Sequence, residues 1–368
     1  MMKILHVYKV YLPENFTGIP RVIHTLAEGL THKGVESHVL TLAAKGRSEP
    51  EAIGSHYAHY VRRDLHIASA SLSASAFGRF RQLAKSADVI HYHLPWPLAD
   101  ILHLAAGRKK PSVATYHSDI VKQRLVLPIY SRLLHPFLRK VDAIVATSSN
   151  YAETSEILAK HRSRVSIIPI GIGEREEPEP NQKERWRARF GDSFFLFVGS
   201  LRYYKGLPFL IEAARRTGLP VVIAGSRDLA DFDIHDVPEN VHFSGEVSEE
   251  DKEALLSLCQ AFVFPSHLRS EAFGVALLEA ARAAKPMISC EIGTGTSFVN
   301  IAGETGLVIA PRDPEALGGA MTWLAHNPQE AQKMGANARR RFERLFRAED
   351  MCAAYLRLYH RVVATHRQ

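Results

Sequence analysis

Short β-rich runs alternate with amphipathic stretches along most of this 368-residue chain. Residues 3–10, 37–42, 89–93, 112–116, 143–147 and 165–169 have the length and side-chain type of strands. Residues 19–33 have helical spacing, with Val22, Leu26, Ala27 and Leu30 on one face. Strands separated by helices imply parallel pairing, because parallel neighbours need long crossover connections and hairpins cannot supply them. The alternation stops at Glu174-Arg175-Glu176-Glu177-Pro178-Glu179-Pro180-Asn181, a charged, Pro-containing stretch that reads as a linker and possible hinge. It then restarts, with strand-like runs at 194–198, 221–224, 241–243, 261–264 and 286–289.

The pattern therefore predicts two α/β units in tandem, at residues 1–173 and 174–348. Open parallel sheets bind ligands beyond the C-terminal ends of their strands. Two such edges facing each other would make a cleft. Residues 349–368 form a final helix, with Met351, Ala354, Leu358 and Val362 at helical spacing, expected to pack back on the first unit.

Composition changes this picture little. Apolar residues make up 46% of the chain, enough for two cores. No apolar run is long enough to cross a membrane as a helix. Cys259, Cys290 and Cys352 are far apart and lack metal-site spacing, and the first residues enter a strand pattern at once, so a reduced, cytoplasmic protein is expected. Charge is less even. Residues 1–175 hold 23 Lys and Arg against 13 Asp and Glu, net +10, while the remainder holds 23 against 26, net −3. A basic first half suits an anionic partner: phosphate, nucleic acid or an anionic membrane. Residues 131–140 place Leu133, Leu134, Phe137 and Leu138 beside Arg132, Arg139 and Lys140, which would fit peripheral attachment to the inner face of a membrane, unless those apolar residues face the core.

The strongest chemical signal is Ser270-Glu271-Ala272-Phe273-Gly274-Val275-Ala276-Leu277-Leu278-Glu279, after a strand ending in Phe264-Pro265-Ser266. A helix starting here would aim the amides of Phe273, Gly274 and Val275 outward, where an anion is favoured. Glu271 and Glu279 flank that point and could hold hydroxyls on either side of a diphosphate.

This segment resembles the Glu-x7-Glu motif of family 4 retaining glycosyltransferases with the GT-B fold. Other pieces agree in order. Leu196-Phe197-Val198-Gly199-Ser200-Leu201-Arg202-Tyr203-Tyr204-Lys205-Gly206 resembles the family's loop that supplies an Arg and a Lys to the diphosphate. The family's Arg usually follows the Val-Gly directly, where this chain has Ser200, so the role passes to Arg202. Gly303-Glu304-Thr305-Gly306-Leu307-Val308 and Asp313-Pro314-Glu315-Ala316-Leu317 resemble its later strand and helix. Thr17-Gly18 stands where many relatives have two glycines near the donor phosphate. Within Thr115-Tyr116-His117-Ser118-Asp119-Ile120-Val121, the resemblance gives His117 a contact with the donor sugar; Asp119, and His93 at the end of another strand on the same rim, are the acceptor-side candidates. Together with Glu291-Ile292-Gly293-Thr294-Gly295-Thr296-Ser297-Phe298-Val299-Asn300, that stretch resembles the mannosyl- and rhamnosyltransferases of bacterial O-antigen assembly.

The resemblance implies a GT-B chain of two Rossmann-like domains. It implies retaining transfer of a hexose from a GDP-sugar to a lipid-linked glycan, with a UDP-sugar as the alternative donor. No cofactor is expected. His91, His93 and His117 raise the question of a metal, but no acidic ligand accompanies them and no Asp-x-Asp pair is present, so a metal-independent enzyme is expected. A nucleic-acid binder would need aromatics interleaved on one sheet face, and none are apparent. A pyridoxal phosphorylase would need a Schiff-base lysine in a matching context, which is missing.

Overall fold

The computed structural model describes residues 1–67, 70–107, 109–119, 127–175, 177–225 and 236–366. The chain forms two compact units, Met1–Gly171 with Ala348–Gln368, and Ile172–Arg347.

In the first unit the strands lie in the spatial order Val165–Ile167, Ala143–Ala146, Ser112–Tyr116, Val89–Leu94, Met2–Val7, Val35–Ala43, His56–Arg62 and Glu51–Ile53. All pairings are parallel except that of Glu51–Ile53 with His56–Arg62. Successive strands run outward in both directions from Met2–Val7 and Val89–Leu94. Their C-terminal ends are therefore a topological switch point, where crossovers leave to opposite faces and open a crevice. Every residue of Val89–Leu94 is buried, as a central strand covered on both faces must be. The helix Ile19–Thr31 begins at Gly18, whose φ of +63° favours glycine, and buries Val22, Ile23, Leu26, Ala27 and Leu30.

The terminal helix Ala348–His366 belongs to this unit. Tyr359 Oη lies 2.7 Å from His91 Nδ1, and Tyr355 Oη lies 2.9 Å from Thr115 Oγ1. A Cβ on Gly29 would come within 2.6 Å of Cys352 Sγ, so glycine is what lets the two helices approach there.

In the second unit six parallel strands lie in the order Val241–Gly245, Val221–Ala224, Phe195–Val198, Ala261–Phe264, Met287–Cys290 and Gly306–Ile309. The switch point falls between Phe195–Val198 and Ala261–Phe264. The loops that leave these two strands are the ones that carry Lys205 and Glu271.

Three expectations change. The hairpin strands Glu51–Ile53 and His56–Arg62, and the small pair Leu65–Ile67 with Ala70–Leu72, lie in a stretch that the apolar pattern left unassigned. The supposed linker is held within the second unit. Glu174 pairs with Arg339 at 3.1 Å and Arg347 at 3.8 Å, the helix Pro180–Phe190 starts inside it, and the unit boundary falls at Gly171/Ile172. Glu176 lies outside the described residues. Finally, in the helix Leu127–Lys140, Leu134, Phe137 and Leu138 are buried in the core, so that helix does not offer them to a membrane. No described helix is long and apolar enough to cross one.

Candidate active site

In the second unit, the loop after Phe195–Val198 packs against the loop after Ala261–Phe264. Gly206 has φ +75°, and a Cβ there would sit 2.0 Å from the Pro265 carbonyl oxygen. Glycine is thus required twice over, by conformation and by close approach. His267 N–H donates to Tyr204 O at 2.9 Å, which stitches the loops further. The consequence is an ion pair: Lys205 Nζ lies 2.5 Å from Glu271 Oε2, with both side chains only 12% exposed. The ammonium also lies 4.6 Å from the centroid of the Phe264 ring. Ser266 Oγ donates to the same Glu271 oxygen at 3.4 Å. Arg202 stands on the same loop and is exposed.

Glu271 precedes the helix Val275–Arg282, whose first residue follows Gly274 at φ +85°. The amides of the first turn have no partners within the helix, so the end next to Glu271 carries partial positive charge. Phe273 is buried beneath this end, edge-on to Phe346 with ring centroids 6.2 Å apart. Glu279 lies on the same helix, buried and paired with Lys252 Nζ at 2.7 Å. Lys252 reaches Glu249 as well, at 2.8 Å.

In the first unit the switch point is lined by histidines. His6 Nδ1 lies 3.2 Å from His93 Nε2, and His93 Nδ1 lies 3.0 Å from His117 Nε2. His91 sits beside them and uses both ring nitrogens, one on Tyr359 Oη and one on Thr115 Oγ1, each at 2.7 Å. Burial pushes the pKa of His6 and of His117 down to about 3. Burial, then the neighbouring imidazoles, pushes His91 and His93 well below the usual histidine value. All four are neutral at physiological pH.

His93 lies in the interior. Its ring is inaccessible, because it comes from an interior strand and lies among His6, His91 and His117. Its Nδ1 is hydrogen-bonded to His117 Nε2 at 3.0 Å. The Asp119 carboxylate is held by Tyr116 Oη at 3.1 Å and Ser155 Oγ at 2.8 Å, which ties the loop after Ser112–Tyr116 to its surroundings. Ile120 and Val121 lie outside the described residues. The histidine grouping also differs from the expected one. His6, His91 and His93 each place a ring nitrogen within 4.8 Å of the others, but this set holds no carboxylate and His91 already uses both nitrogens in hydrogen bonds. His6 was not singled out from the sequence; it joins the group because Met2–Val7 pairs with Val89–Leu94, opposing His6 to His91.

A family model described as Glycosyltransferase Family 4 matches residues 16–176, and one described as Glycosyl transferases group 1 matches residues 178–341. The chain is similar to D-rhamnosyltransferase WbpZ of Pseudomonas aeruginosa, 49% identical over 94% of this chain and 93% of that protein. It is similar also to O-antigen chain mannosyltransferase C of Escherichia coli, 45% identical over 97% and 98% respectively. Among solved structures, a sucrose-phosphate synthase from Thermosynechococcus elongatus shares the fold with TM-score 0.78 at 18% identity, covering 99% of this chain and 100% of that one. Anabaena HepE in complex with UDP does so with TM-score 0.75 at 15% identity, covering 97% and 99%. The two Rossmann-like units are those of the GT-B fold, and the chain belongs to the family 4 glycosyltransferases.

Proposed function

We propose that this glycosyltransferase is a retaining, metal-independent hexosyltransferase. It moves mannose or rhamnose from a GDP-sugar to a lipid-linked glycan in O-antigen synthesis. The sugars and the glycan follow the names of the two full-length relatives. The observation that carries the chemistry is the Lys205–Glu271 pair beside the start of the helix Val275–Arg282.

In this reading the diphosphate lies at that helix start, on the amides of Phe273, Gly274 and Val275. Lys205 and Arg202 offset the negative charge that grows as the bond from the sugar's anomeric carbon to phosphate breaks and its electron pair moves to the phosphate oxygen. The acceptor hydroxyl oxygen bonds to that carbon on the same face, and its proton passes to the departing phosphate. Glu271 binds hydroxyls of the transferring sugar, and Glu279 binds the ribose. In the first unit, His117 contacts the sugar, Gly18 stands near the donor phosphate and Asp119 shapes the acceptor side. A turnover assay with GDP-mannose, GDP-rhamnose and their UDP counterparts, with and without EDTA, tests the proposal. Turnover with the GDP donors and insensitivity to EDTA are expected. Preference for a UDP donor, or loss of activity to the chelator, would refute the respective part.

Glu279→Gln is expected to weaken binding of the donor and of free nucleoside diphosphate alike, by about 1–3 kcal/mol for a charged hydrogen bond, with little further loss in kcat. Isothermal calorimetry with nucleoside diphosphate alone reads this directly. Peripheral membrane attachment has to rest on charge, since Leu134, Phe137 and Leu138 are buried while Arg132, Arg139 and Lys140 are exposed. Sedimentation with anionic vesicles should therefore show binding that is lost at high salt and is not seen with neutral vesicles. Salt-resistant binding would show that the attachment is apolar instead.

A further inference from the structure

His6, His93 and His117 form a line of imidazoles across three adjacent strand ends, starting in the interior and finishing at His117. Burial keeps all three neutral. A neutral imidazole has one N–H and one lone pair. Each of the two N···N hydrogen bonds, His6 Nδ1 to His93 Nε2 and His93 Nδ1 to His117 Nε2, needs one of each. Only two proton arrangements satisfy both bonds. Either every ring carries its proton on Nδ1, or every ring carries it on Nε2.

The inner end decides between them. His6 Nε2 is buried and has no partner among the described residues. With the protons on Nδ1, that atom is a bare lone pair. With the protons on Nε2, it is an N–H buried without an acceptor. Unpaired buried donors are the rarer and more costly of the two. The Nδ1 arrangement is therefore favoured throughout the line, although free histidine in water prefers the Nε2 tautomer.

We infer that His6 and His93 are positioning residues that lock His117 as the neutral Nδ1–H tautomer, making it a hydrogen-bond donor to an oxygen of the transferring sugar. The direction runs outward: His6 Nδ1–H donates to His93, His93 Nδ1–H donates to His117, and His117 Nδ1–H is the donor left for a ligand. This rests on the reading of His117 as the sugar contact. It adds that the contact is neither an acceptor nor a cation, so it recognises an oxygen lone pair without adding positive charge beside the breaking bond. His93, though buried, then matters to catalysis through the proton on its Nδ1, which His117 Nε2 accepts.

Nitrogen-15 NMR of protein labelled in its histidine rings tests the proton arrangement. In the wild type, His6, His93 and His117 should each show a protonated Nδ1 and a bare Nε2. A protonated Nε2 on His117 would overturn the proposal, as would stoichiometric zinc bound through His6 and His93 in the purified protein. The wild-type spectrum is decisive whether or not any variant folds. In folded His93→Leu, His117 should revert to the Nε2–H form, with kcat falling roughly tenfold for one mis-set hydrogen bond. His93→Asn, which keeps an N–H near the position of Nδ1, should restore both the tautomer and most of kcat. An unchanged tautomer in His93→Leu would also overturn the proposal. His117→Ala separates the two readings: if it leaves kcat/KM unchanged, the sugar contact is wrong, while the ring spectra still judge the relay.

Discussion

Glu271→Gln should lower kcat by about 10²–10³-fold, the loss usual when one preorganised electrostatic contact to a transition state is removed, while nucleoside diphosphate binds as tightly as before or more tightly. The two effects have opposite signs for a reason visible in the free protein. Lys205 Nζ is held 2.5 Å from the Glu271 carboxylate, and both side chains are largely shielded from water. A diphosphate that takes Lys205 must compete with that carboxylate. When the Glu271 charge is removed, the competitor goes and the ammonium stays, flanked by the Phe264 ring. Ground-state affinity for the diphosphate is kept or gained. Turnover is lost because the sugar no longer meets a charged acceptor that strengthens as the bond breaks. Steady-state kinetics with calorimetry on the folded variant reads both. General loosening of the site would weaken both together. Retention of wild-type turnover would show that Glu271 does not act on the sugar.

Half of this site is legible in the sequence, and the reason is geometric. Glu271 and Glu279 share one local segment, so helical spacing and the helix start place them without knowledge of the rest. Lys205 is separated from Glu271 by 66 positions. Their contact depends on two loops leaving adjacent strands at a switch point and on Gly206 fitting against Pro265, neither of which a linear pattern contains. Lys252, the partner of Glu279, is missed for the same reason: it stands on a separate helix, Glu249–Leu258, and only the fold brings its side chain, buried, onto that carboxylate. The histidine line shows the limit most clearly. His91, His93 and His117 stand out because they end recognisable strands. His6 ends one too, but its meaning depends on register across the sheet.

The fold was legible where burial is mainly apolar. Ser112–Tyr116, Val221–Ala224 and Ala261–Phe264 have the same limits in sequence pattern and structure, because short central parallel strands read as near-continuous apolar runs. His56–Arg62 escaped because histidines, His56 and His59, take two of its buried positions. His56 Nδ1 lies 2.5 Å from Glu28 and its Nε2 lies 2.8 Å from Tyr11 Oη, while His59 Nε2 lies 2.9 Å from His38 Nδ1. Hydrogen bonding across elements makes these residues suitable core material, and no periodicity of apolar residues signals it. The terminal helix, in contrast, shows its apolar spacing plainly, and Met351, Leu358 and Val362 are buried.

Arg282→Met should destabilise the second unit by about 3–5 kcal/mol, the cost of leaving one member of a buried ion pair without its partner. Arg282 and Glu253 are hydrogen-bonded, with side chains 6% and 9% exposed, and Arg282 Nη1 also donates to Gly173 O at 2.8 Å. Burial already pushes the pKa of Glu253 up, against the pull of Arg282. In the variant Arg175, 3.9 Å away, and Lys252 remain as cations near it, so Glu253 must either keep a poorly compensated charge or take up a proton. Either outcome costs stability at neutral pH. The double variant Arg282→Met/Glu253→Leu removes both charges and should recover most of the loss, since well-packed apolar replacements of a buried pair are often nearly neutral. Urea unfolding followed by tryptophan fluorescence suits the test, because Trp186 and Trp323 lie in this unit and Trp96 in the other. The two units need not unfold together, so the curves are fitted without assuming one transition. If the single variant loses less than about 1 kcal/mol, the value of an exposed pair, the bridge behaves as a surface contact. The result bears on function as well, because Arg282 ends the helix that carries Glu279 and follows Gly274. A helix anchored at its last turn keeps its first turn fixed against Phe273, so the single variant should also bind nucleoside diphosphate less tightly, and the double variant should regain binding in step with stability.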